Sequence, residues 1–166
     1  MPDDLPSGQP EFPPLLPTGL HTMTIPALRQ MCSGNFPLSA TRADTMAGLE
    51  QITDRLHNDA IVGEIWVDGS FLTEKIDPAD VDIVLRIQAD VYDNGTPQQR
   101  AAIDWLDSDL KGSHHCDSYF FMEYPPGHRL HSFGQDMYDY WMRQWGVARD
   151  NVMKGIAVLL LPRTDK

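Results

Sequence analysis

The sequence is short of cationic residues, of cysteine and of long apolar runs. Thirteen lysines and arginines stand against 24 aspartates and glutamates, for a formal net charge of -11. A surface of that sign offers few groups to replace phosphate counterions, which argues against a general nucleic-acid or anionic-membrane binder. A divalent cation or a basic protein partner fits the sign better. Only Cys32 and Cys116 are cysteines, with no CxxC pair and no second half of a zinc site. Two free thiols in a reducing, cytoplasmic compartment are therefore expected. No stretch approaches the roughly 20 apolar residues of a membrane span. The opening MPDDLPSGQP is acidic where a signal peptide is basic, so a secretory leader is not expected. There is no internal repeat.

What is present suffices for one ordinary domain: 166 residues, 42% of them hydrophobic. Six prolines fall among the first 17 residues, each fixing φ and removing a donor. Residues 1–17 are thus read as an extended arm and residues 18–166 as a single domain, with FPPLLPTGLH apolar enough to lie on the body. Ser39 or Thr41 is placed to cap a helix carrying Met46, Leu49, Ile52 and Leu56 on one face. NDAIVGEIWV reads as a stop followed by a strand ending at Val67. DVDIVLRI alternates Val81, Ile83, Leu85 and Ile87 against Asp82, Val84 and Arg86, the period of a strand. Thr96 and Pro97 open a helix, CDSYFFMEY reads as an aromatic strand, DMYDYWMRQWG as a helix ended by Gly146, and GIAVLLLP as a last buried strand. Strands and helices alternate, so the class is α+β, with α/β character: a mixed sheet with helices packed on it.

The chemistry concentrates in VDGSFLTEKIDPADVDIVL, residues 67–85. On a strand, Asp80 and Asp82 project to one side with their Cα atoms roughly 7 Å apart. Carboxylates held so repel unless a cation lies between them, and hard oxygen donors suit Mg²⁺ or Mn²⁺. Gly69 and Ser70 follow a strand and lead into a turn, where backbone N–H groups and the Ser70 hydroxyl form a cradle for phosphate oxygens. Together these parts are equipment for phosphoryl or nucleotidyl transfer. A third carboxylate, to hold metal beside the attacking hydroxyl, is sought on the next strand: Asp117 first, Glu123 as runner-up.

The same stretch resembles the signature of the DNA polymerase β-type nucleotidyltransferase superfamily: Gly-Ser after a strand, about a dozen residues, then Asp-x-Asp in a hydrophobic strand. More narrowly, LLPTGLH, WVDGSFLTEKIDPADVDIVL and KGIAVLLL are similar to a family of small bacterial and phage proteins described only as nucleotidyltransferase-like. The similarity covers most of residues 12–161. It implies a minimal nucleotidyltransferase fold, Gly69 and Ser70 on the triphosphate, Asp80 and Asp82 on the metals, and Asp117 as third carboxylate. Many minimal members carry an arginine soon after Gly-Ser; here FLTEK leaves Lys75 as the nearest cation. Lys154, ahead of the last strand, is placed either to reach a triphosphate or to pair with an acidic neighbour.

Two expectations follow. One is a Mg²⁺-dependent enzyme moving a nucleoside monophosphate from a nucleoside triphosphate to a hydroxyl, with a protein side chain favoured as acceptor and a toxin–antitoxin or defence setting. The other is a non-catalytic module or nucleotide sensor, whose proline-rich arm and aromatic YDYWMRQWG bury a partner or a second copy. His114 and His115 are adjacent and point to opposite sides of an extended chain, so a shared metal is not expected. Trp66, Trp105, Trp141 and Trp145 are expected as core or interface anchors, since the basic residues that accompany base stacking are lacking.

Overall fold

A computed structural model describes residues 12–146 and 154–162. In chain order the elements are β1 (Gly19–Thr22), α1 (Ile25–Arg29), α2 (Arg42–Asn58), β2 (Gly63–Asp68), β3 (Val81–Gln88), α3 (Ala89–Asp93), α4 (Pro97–Leu106), α5 (Lys111–His114), β4 (Cys116–Glu123), α6 (His131–Trp145) and β5 (Gly155–Leu161). The fold is α+β, built on one mixed five-stranded sheet of order β1-β5-β2-β3-β4. β2 lies antiparallel to both β5 and β3, while β1 is parallel to β5 and β4 is parallel to β3.

Local chemistry explains where the helices begin. At α2 the Ser39 hydroxyl accepts the Thr41 and Arg42 N–H groups, and Asp77 accepts the Ala40 N–H at 2.7 Å. The capping role thus falls to Ser39; Thr41 holds the N-cap position without a side-chain bond. α4 opens with the full reciprocal box, Thr96 accepting from Gln99 N–H and Gln99 returning to Thr96 N–H. α6 ends at Gly146 as expected but starts at His131, ahead of Asp136, where DMYDYWMRQWG begins. Gly134 eases the packing there: a Cβ would come within 3.0 Å of the Glu123 Cα, so glycine lets the helix lie close on β4 without a shift.

Period-2 alternation divides the sheet into two unlike faces. One face buries Ile65, Val67, Val81, Ile83, Leu85, Ala157 and Leu159 against Leu28, Leu49, Ile52 and Ile103 of α1, α2 and α4. The other buries Trp66, Val84, Phe121, Ile156 and Val158 beneath Trp141 and Trp145 of α6. β3 is therefore covered on both sides, where its alternation predicted one. Three of the four tryptophans are core anchors; Trp105 is half-buried, with the Arg55 guanidinium 4.3 Å from its ring centroid. Both thiols are free and buried, and burial pushes each up to about 12, leaving them unreactive.

Of the arm, residues 1–11 lie outside the described residues. Its remainder does lie on the body: Leu15 N–H donates to Leu72 O (2.8 Å), and Glu74 N–H donates to Pro13 O (2.9 Å). β1, which the sequence reading left unassigned, extends the sheet beyond β5.

Candidate functional site

The site forms where β2 ends and β3 begins. Gly69 follows β2 with φ 87°, a conformation that penalises any side chain. A Cβ on Gly69 would also lie 2.7 Å from Asp82 Oδ2. Glycine is thus required twice, and the turn is pressed directly onto the Asp82 carboxylate. Ser70–Leu72 then makes a single 3-10 turn, closed by Leu72 N–H to Gly69 O (3.1 Å) and by the Thr73 hydroxyl to Ser70 O (2.7 Å).

The turn is held from behind by a residue that sequence reasoning passed over. Arg42, fully buried, donates through Nη1 to Cys32 O (2.8 Å) and Phe71 O (2.7 Å), and through Nη2 to Thr73 O and Lys75 O (both 2.6 Å). Its guanidinium also stacks 3.8 Å from the Phe36 ring centroid. Three of its four carbonyl partners belong to the segment after Ser70, so Arg42 fixes the path of that loop. In the sequence it reads only as a polar residue in the first turn of α2.

Cross-strand register then assembles the acids. Asp68 pairs with Asp82 across β2 and β3, and Asp82 pairs with Asp117 across β3 and β4. Residues opposed in this way share a face, so three carboxylates form a row across three strands, in steps of about 5 Å, on the α6 face. Asp80 sits just ahead of β3, not within it. Its charge is felt at Asp82: burial first, then Asp80 and Asp117, push the Asp82 carboxyl up to about 7.

Asp68 was not anticipated as part of the site. It is 1% exposed, and burial pushes its carboxyl up to about 7 against the pull of Lys154. Lys154 Nζ lies 3.3 Å from Asp68 Oδ1. That is ion-pair distance. Lys154 therefore pairs with an acidic neighbour, one of the two roles the sequence left open. The signal was present: a carboxylate closing the apolar run of β2 requires a partner.

The other expected residues are distributed unevenly. Asp117 lies beside Asp82 as expected, and its Oδ2 accepts from the Tyr119 hydroxyl (3.0 Å) and sits 3.7 Å from Lys111 Nζ. Burial and that bond push the Tyr119 phenol upward, so it remains a donor. Glu123, six residues along β4, is about 20 Å from Asp117. It is paired with Arg86, which also reaches Glu64 at 3.2 Å, so Glu123 is removed as a third carboxylate. Lys75 places its ammonium 5.9 Å from the Phe12 ring centroid, toward the arm. His114 and His115 do not share a ligand position: His114 packs edge-on against Trp105, and His115 adopts a left-handed conformation as the cap of α5.

Beside Asp117 opens a cleft of about 370 Å³ lined by Asp107, Asp109, Lys111 and Tyr119 among others. Among the described residues, no three His, Cys, Asp or Glu side chains are gathered closely enough to hold a metal by themselves. The donor set nevertheless fits Mg²⁺, which takes one or two carboxylates and completes its shell with water and substrate oxygens. Asp82, flanked by Asp80 and Asp117, supplies hard oxygens whose mutual repulsion a cation relieves. With that geometry established, the family can be stated, because a family model matches residues 10–160. The chain belongs to DUF6932, a family of unknown function. The match takes in the whole of the described structure up to Leu160, the acid row and Lys154 included. No curated protein and no solved structure matches the chain.

Proposed function

We propose that this DUF6932 protein is a Mg²⁺- or Mn²⁺-dependent nucleotidyltransferase of the polymerase β type, in which an acceptor hydroxyl attacks the α-phosphorus of a nucleoside triphosphate, the α–β phosphoanhydride bond breaks, and pyrophosphate and the hydroxyl proton leave. The observation that carries this reading is the Gly69–Ser70 turn seated on Asp82, with Asp117 level on the next strand. In this mechanism the Gly69 and Ser70 N–H groups and the Ser70 hydroxyl bind phosphate oxygens. Asp80, Asp82 and Asp117 would hold the metal, which when bound would supply charge neutralisation and lower the pKa of the acceptor hydroxyl. Asp117 orients the acceptor, while Tyr119 and Lys111 hold its carboxylate in place. Lys75 and Lys154 are the candidate lysines for phosphate charge, Lys75 from the arm side of the loop.

The acceptor enters through the cleft beside Asp117. Asp107 and Asp109 on its wall repel a phosphate-rich acceptor, and the charge of -11 acts in the same direction. A protein side chain is thus favoured over nucleic acid, in a cytoplasmic setting consistent with two buried free thiols, such as a toxin–antitoxin or defence pair. No helix among the described residues is long and apolar enough to cross a membrane.

The test incubates the protein with labelled nucleoside triphosphates, Mg²⁺ or Mn²⁺, and host extract. Asp117→Asn should abolish transfer yet bind nucleotide within a few-fold of wild type, whereas Asp82→Asn should lose both. Absence of transfer by wild type onto any protein or tRNA would remove the enzymatic reading. One feature favours a nucleotide-sensing or interaction module instead: Asp117 is already engaged by Lys111 and Tyr119. In that case calorimetry with ATP and Mg²⁺ would show binding with no turnover.

A further inference from the structure

Within the acid row, one group is especially costly to the fold. Asp68 is 1% exposed, and the charge that faces it is Lys154 Nζ, 3.3 Å from its Oδ1. A carboxylate so placed costs several kcal/mol unless a cation compensates it. The compensating cation is Lys154, whose side chain is 14% exposed and so not wholly closed to solvent. Lys154 is fixed through its backbone as well, its N–H donating to Gly146 O at 3.0 Å and the next N–H, that of Gly155, to Leu16 O at 3.2 Å.

The direction in which the ammonium faces follows from register. β5 runs antiparallel to β2, with Val67 opposite Ala157 and Gly63 opposite Leu161. Lys154 immediately precedes β5, and its Nζ lies 3.3 Å from Oδ1 of Asp68, the residue before the Gly69–Ser70 turn. Alternation puts Lys154 on the face of Ile156 and Val158, which is also the face of Asp68 and Asp82. The charge of Lys154 accordingly reaches Asp82 as well as Asp68. An ammonium carries three donors, more than the single contact with Asp68 uses.

We infer that Asp68 and Lys154 form one phosphate-binding device: the buried Asp68 carboxylate is a positioning residue, and the Lys154 ammonium it holds beside the Gly69–Ser70 turn meets the triphosphate. This rests on the nucleotidyltransferase reading and adds to it a fixed cation from the far side of the sheet. It takes the place of a cation in FLTEK, where Lys75 faces the arm. A flexible lysine would need ordering at each binding event; one held by a buried acid is already ordered, so less entropy is lost on binding.

Calorimetry on the full chain in Mg²⁺ tests this with ATP, inorganic tripolyphosphate and AMP. The double variant Asp68→Asn/Lys154→Met removes the pair without stranding a charge, so it should keep its melting temperature within a few degrees. It should bind ATP and tripolyphosphate at least about tenfold more weakly while AMP affinity moves less than about twofold. Asp68→Asn alone keeps the cation but frees it and should lose about three- to tenfold, whereas Lys154→Arg should restore binding to within about threefold. A structural role alone would weaken all three ligands equally. A second readout needs no variant: acetylation of Lys154, followed by mass spectrometry, should be suppressed by Mg·ATP. If wild type binds ATP while the double variant binds equally well, or Lys154 is not protected, the inference falls and the nucleotidyltransferase reading stands. If wild type binds neither ATP nor tripolyphosphate, both fall.

Discussion

Two acidic groups occupy the same face of the sheet, at opposite ends of β3, and they are neutralised differently. At the C-terminal end Arg86 lies between Glu64 and Glu123, with Tyr138 against its guanidinium (4.9 Å to the ring centroid) and the Trp66 indole N–H donating to Glu64. Donors and acceptors there satisfy one another. At the N-terminal end Asp68, Asp82 and Asp117 stand in register, with Asp80 adjacent; Lys154 pairs with Asp68 and Lys111 stands near Asp117, while among the described residues no ion pair is formed at Asp82. The first cluster is structural because both of its carboxylates are paired with Arg86. The second carries excess negative charge against a glycine turn, and an added cation is what would complete it.

Removing the clamp behind the turn should produce the largest change. Arg42→Leu strands the carbonyls of Cys32, Phe71, Thr73 and Lys75 and should cost about 3–5 kcal/mol. Denaturant unfolding checks this, and an unchanged midpoint would mean the loop holds its path without Arg42.

The sign should reverse at Asp82. Its folded carboxyl is raised to about 7 from an ordinary value of 3.8, so the folded state binds the extra proton. Its contribution to stability therefore falls as pH rises from about 4 to about 7, and the penalty is complete at pH 8. Asp82→Asn should stabilise the protein by about 1–3 kcal/mol at pH 8, have little effect at pH 4, and abolish any rise in melting temperature on adding millimolar Mg²⁺. A variant less stable than wild type at pH 8 would show that Asp82 is already satisfied by the fold.

At the balanced end the same kind of cut should only destabilise. Arg86→Met leaves two partly buried glutamates without their cation and should cost about 1–2 kcal/mol, a modest figure because the pairs are partly solvated. Glu123→Gln, which leaves Arg86 paired with Glu64, should cost about 0.5 kcal/mol and leave nucleotide binding unchanged. Were Glu123→Gln to reduce Mg²⁺-dependent binding, the two ends would be one site.

Much of the architecture was legible because its signals are local. Thr96-Pro97 and Gly146 mark helix ends through cap chemistry within a few residues. Val81, Ile83, Leu85 and Ile87 mark a strand by period alone. α6 was read too short because Gly134 lowers local helix propensity while permitting close packing on β4, a gain visible only in three dimensions. β1 escaped notice because four residues carry little period and owe their conformation to β5.

The candidate site divides along the same line. The sequence by itself picked out Gly69, Ser70, Asp80 and Asp82 as a group, since a glycine turn and carboxylates in apolar strands are exceptions that single-strand chemistry exposes. Tertiary structure alone decided that Asp117 and not Glu123 stands beside Asp82, that Lys75 turns to the arm, that Arg42 clamps the loop, and that Asp68 holds Lys154. Each of these depends on strand register or on a side chain crossing between elements distant in sequence. Residue spacing sets which face a side chain takes, but only the pairing of strands sets which charge it meets there.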